Sequence, residues 1–390
     1  MKIKAYKRSD GSYGIRNKIL ILSTVGCANE TARMIANQVK GAEFVSNTKG
    51  CGQIGNSLNI MRRSLIGLIL NPNVYGAIIV GLGCETMQPH KLYEEIKVKS
   101  DKSLEVITIQ KEGGTVKTVA KGVKLAQKMV KDMSKQKREE TDLSNIVLAT
   151  NCGGSDATSG LAANPSLGYC SDLLVKEGGT VILGETTELI GTEHILARRV
   201  KDEQVREKLL KIIRGLEEDF IHLGIDVRGA NPTPGNMKGG LSTLEEKALG
   251  GISKGGSTTI TEVVRYGEVP TSHGLVIMDT PGYDIESITG MAAGGAQVCI
   301  FTTGRGTPIG NPIIPVIKVT GNRHTYKNMK DHIDIDTSGV IHGGKGIQNC
   351  GEEIMEKLIH ICNGHPTKAE LYGFSEISVY RNNEIWCSYI

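Results

Sequence analysis

The sequence has few aromatic residues, and it lacks any long apolar run. Only 4% of its 390 residues are aromatic, with a single Trp, whereas glycine occurs 49 times. No segment approaches the roughly 20 apolar residues that a membrane-spanning helix needs. The first residues, MKIKAYKRSDGSYGIRN, lack the apolar centre of a secretion signal. We therefore expect a soluble, cytoplasmic protein with no membrane contact.

Charge of one sign is not in large excess either. The 46 Lys and Arg residues face 42 Asp and Glu residues, which gives a net charge of +4. The densest basic run, KDMSKQKR at 131–138, is followed at once by acidic residues and is typical of the solvated end of a helix. This distribution argues against nucleic-acid binding. The 39% of hydrophobic residues excludes a disordered chain.

Local cysteine motifs such as C-x-x-C are absent, although the chain has nine cysteines. Without a secretion signal, a framework of disulfides is not expected. Metal binding, thiolate chemistry and simple burial of a small apolar side chain are the alternatives that remain.

Short apolar runs alternate with helical patterns, which predicts an α/β fold with two domains and mostly parallel sheets. The chain is roughly twice as long as a typical domain. A polar stretch, KREETDLSN, follows an amphipathic helix predicted over 115–137, and it divides the chain into predicted domains at 1–140 and 141–390. A second long helix is predicted over 202–223, and a loop over 224–240. The predicted strands cover residues 19–24, 43–46, 76–80, 104–109, 145–150, 180–184, 275–279, 298–302 and 316–319.

Four cysteines directly follow predicted strands, each beside glycine or another small residue: Cys27, Cys51, Cys84 and Cys152. Ligands of open α/β sheets bind outside the carboxyl ends of the strands. Thiolates at these positions are stabilised by the N-termini of the helices that follow. The four cysteines together favour a metal or cluster site assembled from separate loops over simple burial.

The later strands are followed by carboxylates and by groups that could bind an anion. Glu185 and Glu188 follow the strand TVILG, where a carboxylate is costly to bury without a cation. Thr303 and Arg305 lie on a glycine-flanked turn that suits a carboxylate or phosphate. No G-x-G-x-x-G motif opens a helix, which argues against a dinucleotide cofactor. The long loop and the helix after it add polar side chains that suit a small, acidic, polyhydroxy substrate: Asn231, Asn236, Lys238 and Glu246.

These segments, taken in order, resemble the altronate/galactarate dehydratase family, whose relatives include the large subunit of sulfolactate sulfo-lyase. The resemblance extends from residue 6 to about residue 340. It is carried by the motifs YKRSDGSYGIRN, KGCGQ, GLGCE, NCGGSDATSGLAANPSLGY, NPTPGNMKGGLSTLEEKALG and FTTGRGTP.

The resemblance implies a lyase that removes water, or sulfite in the sulfo-lyase branch, from a hydroxylated acid with the help of a divalent metal. It also implies that residues 1–140 mediate dimerisation and that residues 141–390 form a Rossmann-like variant that holds the metal. A homodimer or higher oligomer is therefore expected. Larger members carry a small β-rich domain before the motif at Tyr6, where this chain begins, so we expect that a separate small subunit could supply it.

The implied chemistry removes a proton next to a carboxylate. Such a step requires that the carboxylate be neutralised and the resulting enediolate be stabilised by a cation. We predict that Arg305 pairs with a substrate carboxylate, that Glu188 or Lys238 acts as the base, and that Glu246 protonates the departing hydroxyl. The remaining candidates for substrate binding are Thr303, Asn231, Asn236 and Ser155.

Two sets of metal ligands remain open. Cys51, Cys84 and Cys152 would hold iron, either as a single ion or as an iron–sulfur cluster with one open position. Asp156, Glu185 and Glu188 would instead form a mononuclear site for Fe2+ or Mn2+.

Three functions are compatible with the sequence. The leading hypothesis is dehydration of an altronate-like or galactarate-like sugar acid to a 2-keto-3-deoxy acid. The second is the large subunit of a sulfolactate sulfo-lyase, which releases sulfite. The third is a non-catalytic subunit that requires a small partner.

Overall fold

The computed structural model describes residues 1–380 and shows an α/β protein with two domains. A four-stranded and a seven-stranded sheet, both parallel, are accompanied by a small antiparallel sheet. The predicted fold class is therefore confirmed. No helix within residues 1–380 is long and apolar enough to cross a membrane.

The strands and helices have the following bounds. In chain order the strands are β1 (Lys2–Lys7), β2 (Tyr13–Gly14), β3 (Lys18–Ser23), β4 (Ala42–Val45), β5 (Val74–Gly81), β6 (Ser103–Thr108), β7 (Glu139–Asp142), β8 (Val147–Cys152), β9 (Thr180–Leu183), β10 (Ile260–Val264), β11 (Gly274–Met278), β12 (Val298–Thr302), β13 (Val316–Thr320) and β14 (Ile335–Asp336). The helices are α1 (Asn29–Ala36), α2 (Gly55–Leu70), α3 (Pro89–Lys99), α4 (Ile109–Glu112), α5 (Thr115–Met133), α6 (Asn164–Lys176), α7 (Glu193–Leu196), α8 (Glu203–His222), α9 (Val227–Ala230), α10 (Pro234–Lys238), α11 (Leu244–Ile252), α12 (Asp284–Ala293), α13 (Arg323–Asn328), α14 (Gly339–His342), α15 (Ile347–Cys362) and α16 (Lys368–Tyr372).

The first large sheet has the order β4-β3-β5-β6, and all its strands are parallel. Its central strands β3 and β5 are almost entirely buried, because helices cover both faces of the sheet. The chain leaves β3 towards β4 on one side and then crosses back to β5 on the other. The carboxyl ends of β3 and β5 therefore flank the point at which the strand order reverses.

The second large sheet has the order β10-β11-β9-β8-β12-β13-β14, again with parallel pairing throughout. From β8 the chain winds outward through β9, and it returns to the other side of β8 at β12. Apart from the extra edge strand β10, this is the doubly wound order of a Rossmann-like sheet. Its reversal point lies between the carboxyl ends of β8 and β12, where a ligand crevice is expected.

All nine predicted strands are present, with ends that differ by a few residues. The prediction missed β1, β2 and β7, which form the small antiparallel sheet, and the edge strands β10 and β14 of the seven-stranded sheet. It was also wrong about residues 224–240, because α9 and α10 interrupt the predicted loop. In α10 the Thr233 side chain and the Asn236 side chain cap each other's backbone amides, so this short helix begins at a defined residue.

Candidate functional site

The strands β8 and β9 deliver a cysteine and two glutamates to one point. Cys152 is the last residue of β8, and Glu185 follows β9 by two positions. Glu185 is the only described non-glycine residue with positive φ, at 67°, and its backbone amide donates to the Thr280 hydroxyl at 2.6 Å. A glutamate whose backbone lies in the left-handed region is strained, and such strain is often found at functional sites. The following 3-10 turn, Thr186–Glu188, places Glu188 beside it.

The three side chains form a buried, hydrogen-bonded group. The backbone amide of Cys152 donates to Glu185 Oε2 at 3.0 Å, and its thiol donates to Glu188 Oε2 at 3.2 Å. All three residues are at most 4% exposed. Two carboxylates with so little solvent require cations nearby.

Two lysines supply those cations. Lys254 lies in a 3-10 turn after α11, is 0% exposed, and contacts Glu185 Oε2 at 2.9 Å and Cys152 Sγ at 3.4 Å. Lys247 on α11 contacts Glu188 Oε1 at 2.7 Å. The group thus contains two acidic and two basic side chains that balance in charge, with the cysteine thiol between them.

The surroundings shift the pKa values of Cys152, Glu185 and Glu188 in different directions. Burial raises the pKa of Glu185 above its ordinary value, against the attraction of Lys254. Burial also opposes ionisation of Glu188, but Lys247 and Lys254 outweigh it and hold the Glu188 pKa below its ordinary value. Burial, together with both glutamates, raises the pKa of the Cys152 thiol. The two lysines therefore favour ionisation of Glu188 most strongly, whereas burial works against ionisation of Glu185 and Cys152.

The group could hold a metal ion. Within residues 1–380, only Cys152, Glu185 and Glu188 bring three potential ligand atoms within 4.8 Å of one another. Glu185 Oε1 is buried and has no hydrogen-bond partner among the described residues, so one carboxylate oxygen is free for an ion. A thiolate with two carboxylate oxygens suits a divalent transition metal, and a bound ion would deprotonate the thiol.

Asp284 lies beside this group at the start of α12. Its Oδ1 accepts a hydrogen bond at 3.0 Å from the side-chain amide of Asn151, the residue that precedes Cys152. A Cβ at Gly153 would meet the Asp284 carboxylate at 2.3 Å, so only glycine allows this approach. Burial and the negative charge of Glu188 raise the Asp284 pKa to about 7. A half-buried carboxyl with this pKa suits proton transfer near neutral pH.

Four predicted substrate-binding residues converge across the β8–β12 crevice. The Arg305 amide donates to Gly154 O at 2.9 Å, and Asn236 Nδ2 donates to Ser155 O at 2.9 Å. The Thr303 hydroxyl accepts from the Gly306 amide at 2.9 Å and fixes the turn that carries Arg305. The buried Ser155 hydroxyl has no partner among the described residues, so a donor and acceptor remains available here.

Asn231 joins the site through Lys247. Its side-chain oxygen accepts a hydrogen bond from Lys247 Nζ at 2.9 Å, and that lysine also contacts Glu188. The long loop therefore contributes to the site indirectly, by holding one of the two lysines.

The structure does not bring the other predicted residues into the buried group. Asp156 belongs instead to the start of the next helical segment, where its carboxylate accepts from Thr158 and Ser159 and from Asn322. Lys238 is exposed at the end of α10. These contacts favour a structural role for Asp156 over the predicted role of metal ligand.

Glu246, Cys51 and Cys84 also lie outside the buried group. Hydrogen bonds from Ser242 to the exposed Glu246 carboxylate lower its pKa, which favours helix capping over the predicted role of acid. Cys51 and Cys84 lie on the four-stranded sheet and are exposed, whereas Cys152 is buried at the end of β8 in the other sheet. The predicted set of Cys51, Cys84 and Cys152 is therefore not assembled.

Sequence reasoning assigned no specific role to Lys247 and did not identify Lys254 or Asp284 as site residues. Lys254 stands in the segment ISKGGS, where nothing in the sequence distinguishes a buried lysine from a solvated one. Asp284 comes five residues after the end of a predicted strand, beyond the strand-end positions from which the candidates were taken.

Comparisons with known proteins agree with this architecture. The family model for the second domain of D-galactarate dehydratase/altronate hydrolase matches residues 5–134, and that for the C-terminal domain of D-galactarate/altronate dehydratase matches residues 143–385. A (2R)-sulfolactate sulfo-lyase subunit beta from Chromohalobacter salexigens is 37% identical over 378 residues, or 96% of each chain. An altronate dehydratase from Escherichia coli is 33% identical over 98% of this chain and 78% of its own length. A galactarate dehydratase (L-threo-forming) from the same organism is 33% identical over 93% of this chain and 72% of its own.

Proposed function

Because the chain belongs to the D-galactarate/altronate dehydratase family, a family of dehydratases and lyases, we propose that it is the large subunit of a sulfolactate sulfo-lyase. The observation that carries this proposal is the 37% identity to a sulfo-lyase beta subunit over 96% of both chains. This was the second hypothesis from the sequence, and it now stands ahead of sugar-acid dehydration.

The proposed reaction is an elimination from a 2-hydroxy-3-sulfo acid. A base removes the proton on C2, and the electron pair of that bond becomes the C2–C3 double bond. The C3–S bond breaks as sulfite leaves with its bonding pair. The resulting enol then takes a proton at C3 and becomes a 2-keto acid, so no oxidant or reductant is consumed.

The residues of the site fit this sequence of events. We assign the base to Asp284, since its carboxyl is half-buried and its pKa lies near 7. Lys254 and Lys247 place positive charge beside the position where the enediolate would form. Arg305, on the turn held by Thr303, would pair with the substrate carboxylate or sulfonate.

Cys152, Glu185 and Glu188 would hold a divalent metal ion, most suitably Fe2+ or Mn2+. When bound, such an ion supplies a cation that stabilises the charge developing on the substrate oxygens.

A small partner subunit is part of this proposal. The relative from Chromohalobacter salexigens is described as a subunit beta, so its enzyme contains at least one other polypeptide. We also keep the prediction that residues 1–140 form a dimerisation domain and residues 141–390 a catalytic domain. Size-exclusion chromatography of the chain, alone and with the partner recovered by affinity purification from its source cells, tests both statements.

Dehydration of a sugar acid is the second candidate function. It is favoured by the 33% identity to altronate dehydratase over 98% of this chain. The first step would be the same, because a sugar acid also loses the proton next to its carboxylate. The difference lies in the group that leaves C3, which is hydroxide instead of sulfite.

Product analysis separates the two candidates. The metal-loaded chain, with and without its purified partner, is incubated with (2R)-sulfolactate, altronate or galactarate. Sulfite formed together with an equal amount of 2-keto acid supports the proposal. A 2-keto-3-deoxy acid formed from either sugar acid, with no sulfite from sulfolactate, would replace it by the second candidate.

A further inference from the structure

Three cysteines of the first domain are exposed, unlike the other cysteines within residues 1–380. Cys27 follows β3, Cys51 follows β4 and Cys84 follows β5. The buried ones are Cys152, Cys170, Cys299, Cys350 and Cys362. Cysteine is among the most frequently buried residue types, so three exposed thiols at one edge of a sheet call for an explanation.

The topology places these thiols where a ligand would bind. The order β4-β3-β5-β6 reverses between β3 and β5, and the crevice outside the carboxyl ends of such a pair is the usual ligand site of an open α/β sheet. Cys27 and Cys84 stand on the two sides of this crevice. Cys51 comes from the strand next to β3.

Hydrogen bonds hold the three loops together close to each cysteine. The Gly26 amide donates to Lys49 O at 2.9 Å, which joins the Cys27 loop to the Cys51 loop. The Gly52 amide donates to the Thr86 hydroxyl at 3.2 Å, and the Met87 amide donates to Gly50 O at 2.9 Å. The last two bonds join the Cys51 loop to the Cys84 loop.

A buried carboxylate fixes the remaining pair of loops. Glu85 is 1% exposed, and its oxygens accept from the Leu82 and Gly83 amides at 3.0 and 2.6 Å. Glu85 Oε1 also accepts from the Thr24 hydroxyl at 2.8 Å, so the Cys84 loop is bonded to the end of β3. The carboxylate next to Cys84 is thereby occupied in building the loops.

Three glycines next to these cysteines fix the conformation of the loops. Gly50 and Gly52, on either side of Cys51, have φ of +102° and +71°, and Gly83 before Cys84 has φ of +132°. A Cβ at Gly50 would come within 1.9 Å of Thr24 O, so a side chain there would force the loops apart. All three positions therefore favour glycine for conformation, and Gly50 also requires it for space.

We propose that Cys27, Cys51 and Cys84 bind an iron–sulfur cluster at the carboxyl edge of the four-stranded sheet. This site is separate from Cys152, Glu185 and Glu188. Thiolates are the usual ligands of such clusters. Three of them would leave one iron atom without a protein ligand and open to solvent.

The spacing of the sulfur atoms favours a cluster over a single ion. A tetrahedral zinc with sulfurs at about 2.3 Å would bring them within about 4 Å of one another. In the part of the chain that the structure describes, the sulfur atoms of these three cysteines do not all lie within 4.8 Å of one another. The ligand atoms of Cys152, Glu185 and Glu188 do. A cluster binds each thiolate through a different iron atom and so does not require the three sulfur atoms to share one ion.

Reconstitution of the full chain tests the proposal. The chain is purified without air, incubated with Fe2+ and sulfide under reducing conditions, and desalted. Iron and acid-labile sulfide per chain are then measured, together with the visible absorption spectrum. The wild type should retain iron and sulfide in similar amounts and show a broad visible band.

Matched serine variants locate the site. Cys27→Ser, Cys51→Ser and Cys84→Ser should each lose most of the sulfide and the visible band, whereas Cys152→Ser should keep both. Circular dichroism and the melting temperature of each apo-variant check the fold, which an exposed serine should leave intact.

Three results would overturn the proposal. They are a wild type that retains no sulfide, a metal without sulfide at these cysteines, and a cluster that survives the three substitutions combined. Sulfide content does not depend on turnover. Failure here would therefore leave the proposed sulfo-lyase activity standing, and absence of that activity would not remove the cluster.

Discussion

At the scale of single residues, the buried group at the end of β8 and β9 depends on a balance of charge. Glu185 and Glu188 are buried only because Lys254 and Lys247 contact them at 2.9 and 2.7 Å. Breaking a buried pair by removing one partner leaves an uncompensated charge, which costs more than the pair contributes. The lysines are therefore structural as well as electrostatic components of the site.

Replacing the buried lysine tests this balance. Lys254→Met keeps the length of the side chain but leaves Glu185 without its cation. We expect a loss of about 3–5 kcal/mol in the free energy of unfolding, measured by urea denaturation. Lys238 is an exposed lysine at the end of α10, so Lys238→Met should change the free energy of unfolding by no more than about 0.5 kcal/mol. Equal effects of the two substitutions would contradict the buried ion pair.

The acid and base assignments predict a pH profile. Asp284 must be deprotonated to accept the C2 proton, and its pKa lies at about 7. The ratio kcat/KM should therefore rise with pH through about 7 and level off above it. Asp284→Asn should lower kcat by about a hundredfold or more and remove this inflection.

Glu246→Gln is the matched control for that variant. Its carboxylate caps α11 through Ser242, so its kcat and pH profile should stay close to those of the wild type. A loss of activity in Glu246→Gln similar to that of Asp284→Asn would restore Glu246 as the acid.

At the scale of elements, the two domains are joined by the crossing of α2 and α12. Gly67 on α2 lies against the backbone of Ala293, where an added Cβ would be 2.2 Å from the carbonyl oxygen. Asn71, just after α2, donates to the carbonyl oxygens of Ala292 and Ala296 at 2.8 and 2.7 Å. This close contact places α12, and with it Asp284, relative to the first sheet.

Two glycine substitutions separate helix propensity from packing at this crossing. Gly67→Ala and Gly215→Ala both replace a glycine within a helix, and alanine is intrinsically favoured there by up to about 1 kcal/mol. Gly215 on α8 has open space around it, so its substitution should raise the melting temperature. Gly67→Ala should lower stability by about 1–3 kcal/mol, because its methyl group meets backbone that cannot move aside. Stabilisation by both changes would mean that the crossing is loosely packed.

At the scale of the whole molecule, an ion pair connects the chain's beginning to its C-terminal region. Arg16, between β2 and β3, binds Glu370 on α16 through two hydrogen bonds of 2.8 Å. Arg16 also donates to the carbonyl oxygens of Ile361 and His365. Two-pronged pairs of this kind fix geometry as well as charge.

This pair predicts an acid-dependent loss of stability. Burial opposes ionisation of Glu370, but its hydrogen bonds and the charge of Arg16 hold the pKa below its ordinary value. The stabilisation is thus complete above the pKa of the unfolded chain and is lost as pH falls through the lower, folded pKa. Glu370→Gln should lower the free energy of unfolding by about 2 kcal/mol near neutral pH and by much less in strong acid.

Melting temperatures of both proteins across this pH range provide the measurement. The control is Glu353→Gln, whose exposed pair with Lys345 should contribute little at any pH. A cost for Glu370→Gln that does not change with pH would exclude the ionised pair as its cause.

The order of residues along the chain was enough to predict the fold class, nine of the strands and the family. The length of an apolar run, and the spacing of apolar residues within it, can be read from neighbouring residues alone. A parallel strand that is buried on both faces, such as β11, therefore stands out in the sequence as a continuous apolar run. The positions of Cys152, Glu185 and Glu188 at strand ends could be predicted for the same reason, since the carboxyl edge of a parallel sheet is where its loops meet.

Which of these residues lie close together depends on how the folded chain packs. Cys51 and Cys84 follow strands just as Cys152 does, but they belong to a different sheet, and no sequence pattern states which sheet edge a loop reaches. Lys254 follows α11 and Asp284 begins α12, so neither directly follows a strand in the sequence. Their burial is set by long-range packing, which is why a solvated lysine and a buried one look alike in the sequence.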